Sequence, residues 1–169
     1  MLSDRDIRAA LWSGDIKFSP DPEDKAFQPA SVDVRMGANL IHQGVQINVA
    51  DTVAGYFPLY PMQFVLAELL EEVEISSSIV CRVEGKSSLG RKGLGVHITA
   101  GFVDPGWHGR LTMELYNFGG DMIHLTPGMY IAQLAFDRLD TPAMRPYGHK
   151  ELGSHYQGSD SVRRSADVL

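Results

Sequence analysis

The residue with most chemical potential is Glu114, which lies in the run Gly101-Phe102-Val103-Asp104-Pro105-Gly106-Trp107-His108-Gly109-Arg110-Leu111-Thr112-Met113-Glu114-Leu115-Tyr116-Asn117. The second half of this run alternates as a strand does, with Leu111, Met113 and Leu115 on one face and Thr112, Glu114 and Tyr116 on the other. A carboxylate in mid-strand opposes β-propensity and is costly if buried without a partner, which makes Glu114 a candidate general base. A solvent-facing Glu on a sheet with one wet face is the plainer reading, and periodicity alone favours it. Asp104 is a second candidate carboxylate, although Asp-Pro-Gly is also an ordinary turn signal.

Two further segments carry polar chemistry. Gly85-Lys86-Ser87-Ser88-Leu89-Gly90-Arg91-Lys92-Gly93 gathers small residues, hydroxyls and cations that suit phosphate oxygens. It lacks the upstream glycine of a Walker loop, and alone it reads equally as a solvated basic turn. In Gly128-Met129-Tyr130-Ile131-Ala132-Gln133-Leu134, Gln133 faces away from Tyr130, Ala132 and Leu134; an isolated Gln of this kind is ordinarily structural or exposed.

The elements that must hold these residues are mainly strands. Ser3-Asp4-Arg5-Asp6 predicts a capped helix start, Ile7, Ala10 and Leu11 form its apolar face, and Gly14 stops it. Pro20 and Pro22 mark a linker, and Ser31 to Arg35 alternates as a strand. Short apolar segments then begin near Phe64, Val73, Ile79, Leu94, Leu111, Met122 and Tyr130, a spacing that predicts a sandwich, barrel or jelly roll. Ala67-Glu68-Leu69-Leu70-Glu71-Glu72 has helix propensity, but the alternation through Val73 and Ile75 favours strand. The polar tail after Gly153 has the composition of a segment that orders on binding.

Composition narrows the class. A chain of 169 residues with 44% hydrophobic content supports one compact domain over 1–169. Its formal charge of -6 argues against DNA or RNA as a partner. With no apolar run long enough for a bilayer, a soluble, cytoplasmic protein without membrane contact is expected. Cys81, the single cysteine, reads as a buried apolar residue. One cysteine cannot build the Pro-Cys-x-x-Cys half of a zinc nucleobase-deaminase site, so base deamination by this chain is expected to proceed without zinc.

Taken in order, Gly85 to Arg91, then Val96-His97-Ile98-Thr99-Ala100-Gly101-Phe102-Val103-Asp104-Pro105-Gly106, then Thr112 to Asn117, resemble the central signature of the dCTP deaminases, a branch of the trimeric dUTPase-like nucleotide hydrolases. Gln28 to Arg35, Pro127 to Met129, Ala132 to Leu134 and Pro146 to Gly148 extend the resemblance over most of the chain. It implies a distorted β jelly roll with a short N-terminal helix, assembled as a homotrimer with active sites between subunits. The implied activity is zinc-independent hydrolysis of dCTP to dUTP and ammonia.

The resemblance also implies roles. Glu114 would take a proton from water and return protons to the pyrimidine. Ser87 and the carbonyl of Ala100 would hold that water, and Arg91 would orient Glu114. Lys86, Ser88, Gln133 and Tyr147 would contact phosphates, with Mg²⁺ carried by the triphosphate and no metal ligand from the protein. Asp104 would lie against the deoxyribose, and His97 is a weaker candidate within the matching run. Thr99 to Asp104 is similar to members that carry dCTP through to dUMP and pyrophosphate, where Gly101 replaces a bulkier residue. dTTP is a candidate inhibitor.

The tail departs from the family. Gly153-Ser154-His155-Tyr156-Gln157-Gly158 keeps the frame of a C-terminal lid, expected over 153–169, with His155 and Gln157 as nucleotide contacts. His155 stands where a Lys is usual and Ser159 where a Gln is usual; Arg163 and Arg164 are candidates to compensate. The loop from Gln43 to Pro58 is short, and Met62 replaces a glycine. These departures leave room for a deaminase of 5-substituted dCTP and for a non-catalytic nucleotide-sensing trimer; a plain dUTPase in which Glu114 is dispensable is a separate alternative.

Overall fold

Ser3 caps the first helix in the computed structural model, which describes residues 1–166: its side chain accepts from the Asp6 amide, and Gly14 closes the helix in the left-handed conformation at φ 81°. The elements run α1 (Asp4–Ser13), β1 (Ile16–Ser19), β2 (Phe27–Gln28), β3 (Ser31–His42), β4 (Val45–Asn48), β5 (Phe57–Leu59), β6 (Phe64–Ile75), β7 (Ile79–Gly85), α2 (Ser87–Gly90), β8 (Leu94–Gly95), β9 (Phe102–Val103), β10 (His108–Asn117), β11 (Ile123–Leu125) and β12 (Tyr130–Arg138). Residues 167–169, the end of the expected lid, lie outside the described residues.

The strands form a curled antiparallel sheet in the order β8-β10-β6-β3-β12-β7-β9, with β1 on β6 and with β2 and β4 on β3, beside a small sheet of β11 and β5. The segments starting at Phe64 and Val73 are not two strands but one, the 12-residue β6. No turn signal interrupts it, and pairing with β10, β3 and β1 overrides the helix propensity of Ala67 to Glu72. Its apolar side chains join one core that includes Met36, Leu69, Met113, Leu115 and Phe136, all at most 1% exposed. Cys81 is also fully buried, and burial pushes its thiol far above the ordinary range. Among the described residues, no helix is long and apolar enough to cross a membrane.

Two irregularities of register fall along β6. Against β10 the register shifts between Arg110 and Thr112, and Arg110 donates to the freed carbonyls of Leu69 and Leu70. Against β3 it shifts between Met36 and Leu40. Bulges of this kind bend strands and re-aim side chains. Two buried carboxylates flank these breaks. Glu71 is bound by the Arg35 guanidinium at 2.7 Å and by the Arg35 amide at 2.9 Å, and Glu68 bonds with Asn39.

Candidate active site

The alternation of β10 survives in three dimensions, with Leu111, Met113 and Leu115 buried and Arg110, Thr112, Glu114 and Tyr116 half-buried on the other face. Glu114 is therefore neither in the core nor free in solvent. It borders a cleft of about 420 Å³ whose walls also include Ala100, Asp104, Trp107 and Tyr147. That size is within the usual range for small-molecule sites.

One oxygen of Glu114, Oε2, accepts hydrogen bonds from three successive amides: Ile98 at 2.7 Å, Thr99 at 2.8 Å and Ala100 at 3.3 Å. Partial burial alone would raise the carboxyl pKa, but the three amide bonds, led by that of Thr99, together with the charge of the nearby His97, lower it below the ordinary 4.5. Glu114 is thus a carboxylate at neutral pH. Because the amides all converge on Oε2, Oε1 is the oxygen left for a water or substrate.

The His97 ring packs on Gly101: a Cβ at 101 would lie 2.7 Å from its Cε1. This contact gives a physical reason for the small residue at 101. The buried Nδ1 of His97 has no hydrogen-bond partner among the described residues, and His97 is not in the lining of the cleft.

Asp104 is exposed and opens the turn into β10, where Trp107 donates to its carbonyl at 3.1 Å. Gly106 has φ 89°, and a Cβ there would strike Pro146 at 2.5 Å, so only glycine lets the segment carrying Tyr147 approach. The Tyr147 ring leans on Trp107 with centroids 5.5 Å apart, and its hydroxyl accepts from the Tyr156 amide at 3.2 Å. Gln157 fastens the tail to this turn, donating to the Gly106 carbonyl at 2.9 Å and accepting from the His108 amide at 3.3 Å. Neither Gln157 nor the exposed His155 lines the cleft, whereas Arg163, Arg164 and Ser165 do. Ser159 is buried against Gly109, its hydroxyl donating to the Tyr156 carbonyl at 2.8 Å.

The remaining sequence-predicted residues form a second group outside this cleft. Ser87 and Ser88 begin the single-turn α2 and, like Arg91, are exposed. Lys86 donates to the buried Asp33 carboxylate. Gln133 bridges strands, accepting from Ser31 at 2.7 Å and donating to the Gly85 carbonyl at 3.3 Å. No group of three or more His, Cys, Asp or Glu that could hold a metal ion occurs among the described residues.

Arg110 and Thr112 line the cleft unforeseen, though their parity with Glu114 along β10 was a usable signal. Trp107 also lines it, and its Nε1 donates to the Gly109 carbonyl at 3.2 Å. Glu68 had no local signal, because its partners lie at positions 39, 161 and 162.

The fold and the ordered motifs have counterparts among known proteins. The chain is 45% identical, over 98% of its length and 93% of the relative's, to a dCTP deaminase of Haloarcula marismortui. It is 44% identical, over the same shares, to a protein of Halobacterium salinarum named dCTP deaminase, dUMP-forming. Among solved structures, a 2'-deoxycytidine 5'-triphosphate deaminase from Agrobacterium tumefaciens superposes with TM-score 0.68 at 19% identity, covering 82% of this chain and 48% of that one. The EIAV dUTPase superposes with TM-score 0.54 at 17% identity, covering 78% of this chain and 93% of that one, so the two likenesses establish a shared, dUTPase-like fold. The family model described as dCTP deaminase-like matches residues 1–139, which span Glu114, its amide grip and the Asp104 turn, and the chain belongs to that family.

Proposed function

We propose that this chain hydrolyses dCTP to dUTP and ammonia, and that it carries dUTP on to dUMP and pyrophosphate. The observation that bears most weight is Glu114: an ionised carboxylate, half-buried in a cleft of ligand size, with one oxygen fixed by three amides and the other left for water. Water adds its oxygen to C4 of cytosine and gives its proton to Glu114. The carboxyl then passes that proton to N3. Glu114, ionised again, takes the proton of the new C4 hydroxyl and delivers it to the exocyclic amine; the C4 carbonyl forms as the C4–N4 bond breaks, and ammonia leaves. The lowered pKa makes Glu114 a modest base but a strong acid once protonated, which favours the proton-returning half.

The second step has its own support. Asp104 lines the same cleft as Glu114, and relatives from Halobacterium salinarum and Thermobifida fusca carry dUMP-forming names. Among the described residues no cluster of carboxylates is placed to hold a resident metal, and Mg²⁺ is proposed to arrive on the triphosphate, where it would neutralise phosphate charge. Lys86, Ser88 and Gln133 are proposed phosphate contacts, with Tyr147, His155 and Gln157 contributed from the C-terminal region. Ser87 and Arg91 are proposed to serve the water and Glu114. A cytoplasmic location fits a free nucleotide substrate, and dTTP, sharing the deoxyribose and triphosphate, is proposed to compete for the site.

The separation of the two groups supports a homotrimer in which the cleft of one subunit meets the 86–91 segment of its neighbour. Mixed subunits test this. Glu114→Gln and Ser87→Ala proteins, each inactive alone, are expected to regain about a quarter of wild-type sites when refolded together, because a cyclic trimer pairs one intact half with another at random. No recovery would place each site within one chain.

The activity itself is tested by incubating dCTP, 5-methyl-dCTP and dUTP with the protein and Mg²⁺ and resolving the products. Ammonia with dUMP and pyrophosphate is expected from dCTP. Accumulation of dUTP would remove the second step, and nucleotide binding without any turnover would overturn the enzymatic reading.

A further inference from the structure

Glu68 is a 95%-buried carboxylate on β6, 5% exposed, that among the described residues has no ion pair and is bonded only to neutral groups. Its two oxygens are divided between two parts of the molecule. Oε1 accepts from the Asn39 amide at 3.1 Å and the Asn39 side chain at 2.8 Å, at the register break of β3. Oε2 accepts from the Ser161 hydroxyl at 2.7 Å and the Val162 amide at 3.2 Å, in the C-terminal segment.

The surroundings are shaped for this side chain. A Cβ on Gly37 would lie 2.4 Å from Cγ of Glu68, so the bare glycine makes room for its stem. Val162 is 6% exposed, buried next to the bonded Ser161. Beyond it the Arg163 amide donates to the Thr112 hydroxyl at 3.4 Å, and Arg163, Arg164 and Ser165 line the cleft that holds Glu114. A buried carboxyl group with hydrogen bonds on both oxygens holds its donors firmly, because a dry site offers neither side another partner.

We propose that Glu68 is a positioning residue, the anchor that pins the C-terminal segment at Ser161–Val162 and so presents Arg163 and Arg164 to an anionic nucleotide in the cleft. The nucleotide rests on the function proposed above; the anchor does not. Glu68 meets no reacting atom. It acts through the segment it holds, to which the two arginines give a fixed positive charge.

Glu68→Gln tests the anchor with almost no change of shape. An amide has one acceptor oxygen, so either Asn39 or the Ser161–Val162 pair must face an N–H₂ group instead. Trypsin should then cleave after Arg163 and Arg164 about tenfold faster or more in the ligand-free protein, as read by the mass of the shortened chain. Ser161→Ala removes a donor from the tail side without disturbing the sheet and should act in the same direction. With dCTP and Mg²⁺, Glu68→Gln should raise KM by a larger factor than it lowers kcat. Cleavage unchanged in both variants would overturn the anchor. An unchanged KM in a folded Glu68→Gln protein would overturn its link to the nucleotide. A parent protein without turnover would overturn the function reading while leaving proteolysis to decide the anchor.

Discussion

Oε2 of Glu114 stands 2.8 Å from the Thr99 amide nitrogen, the bond that does most to hold this carboxyl below its ordinary pKa. A side chain thus fixed through one oxygen has a defined orientation for the other, which is the requirement for a general base.

Glu114→Gln keeps the shape and removes the proton acceptor. Ammonia release from dCTP should fall by roughly 10²–10⁴-fold, the usual contribution of a positioned base, while nucleotide affinity stays within a few-fold. Single-turnover assays and equilibrium binding read the two effects separately. A plain dUTPase would retain full dUTP turnover in this variant.

The acid limb of the kcat/KM profile should fall below pH 4.5, because the folded pKa of Glu114 is lowered from that value. The same shift contributes stability that is fully present above pH 4.5 and is lost as pH falls through the folded pKa. Thr99→Pro removes the strongest amide bond, so its acid limb should move upward. A limb unmoved in this variant would mean that another group controls the profile.

Glu71→Ala should cost roughly 3 kcal/mol in denaturant unfolding, since it leaves the Arg35 amide without its acceptor and the part-buried Arg35 guanidinium with only Glu23, at 3.4 Å. Glu71→Gln, which retains one acceptor, should cost less. Equal costs would show that packing rather than charge makes the site.

Met62 has φ 63°, a left-handed conformation that a side chain disfavours, and it is 74% exposed. Met62→Gly should therefore stabilise by about 1 kcal/mol, seen as a higher Tm. The contact between its sulfur and the Tyr116 hydroxyl at 3.4 Å is the interaction given up.

Local signals carried much of this architecture. The helix cap at Ser3, the stop at Gly14 and the two faces of β10 were legible because each depends on neighbours within a few residues. β1 and β5 left little trace, being four and three residues long and ordered by pairing with distant strands, while β4 is a four-residue return of β3 across the Gln43–Gly44 turn. Glu114 was legible as an anomaly, but its amide grip was not, since Ile98, Thr99 and Ala100 offer backbone rather than side chains. Tail docking was hidden for a related reason: Glu68 reads as an ordinary strand Glu until Ser161 and Val162 arrive from 93 and 94 residues away.

β6 is paired along its length by β10 on one side and by β3 and β1 on the other. Opening it requires breaking the sheet on both sides, whereas β5 and β11 lose only three paired positions when they part. Hydrogen exchange should consequently rank the molecule from the β5–β11 pair, which trades its amide protons first, to the central amides of β6, which trade them only when the whole chain unfolds.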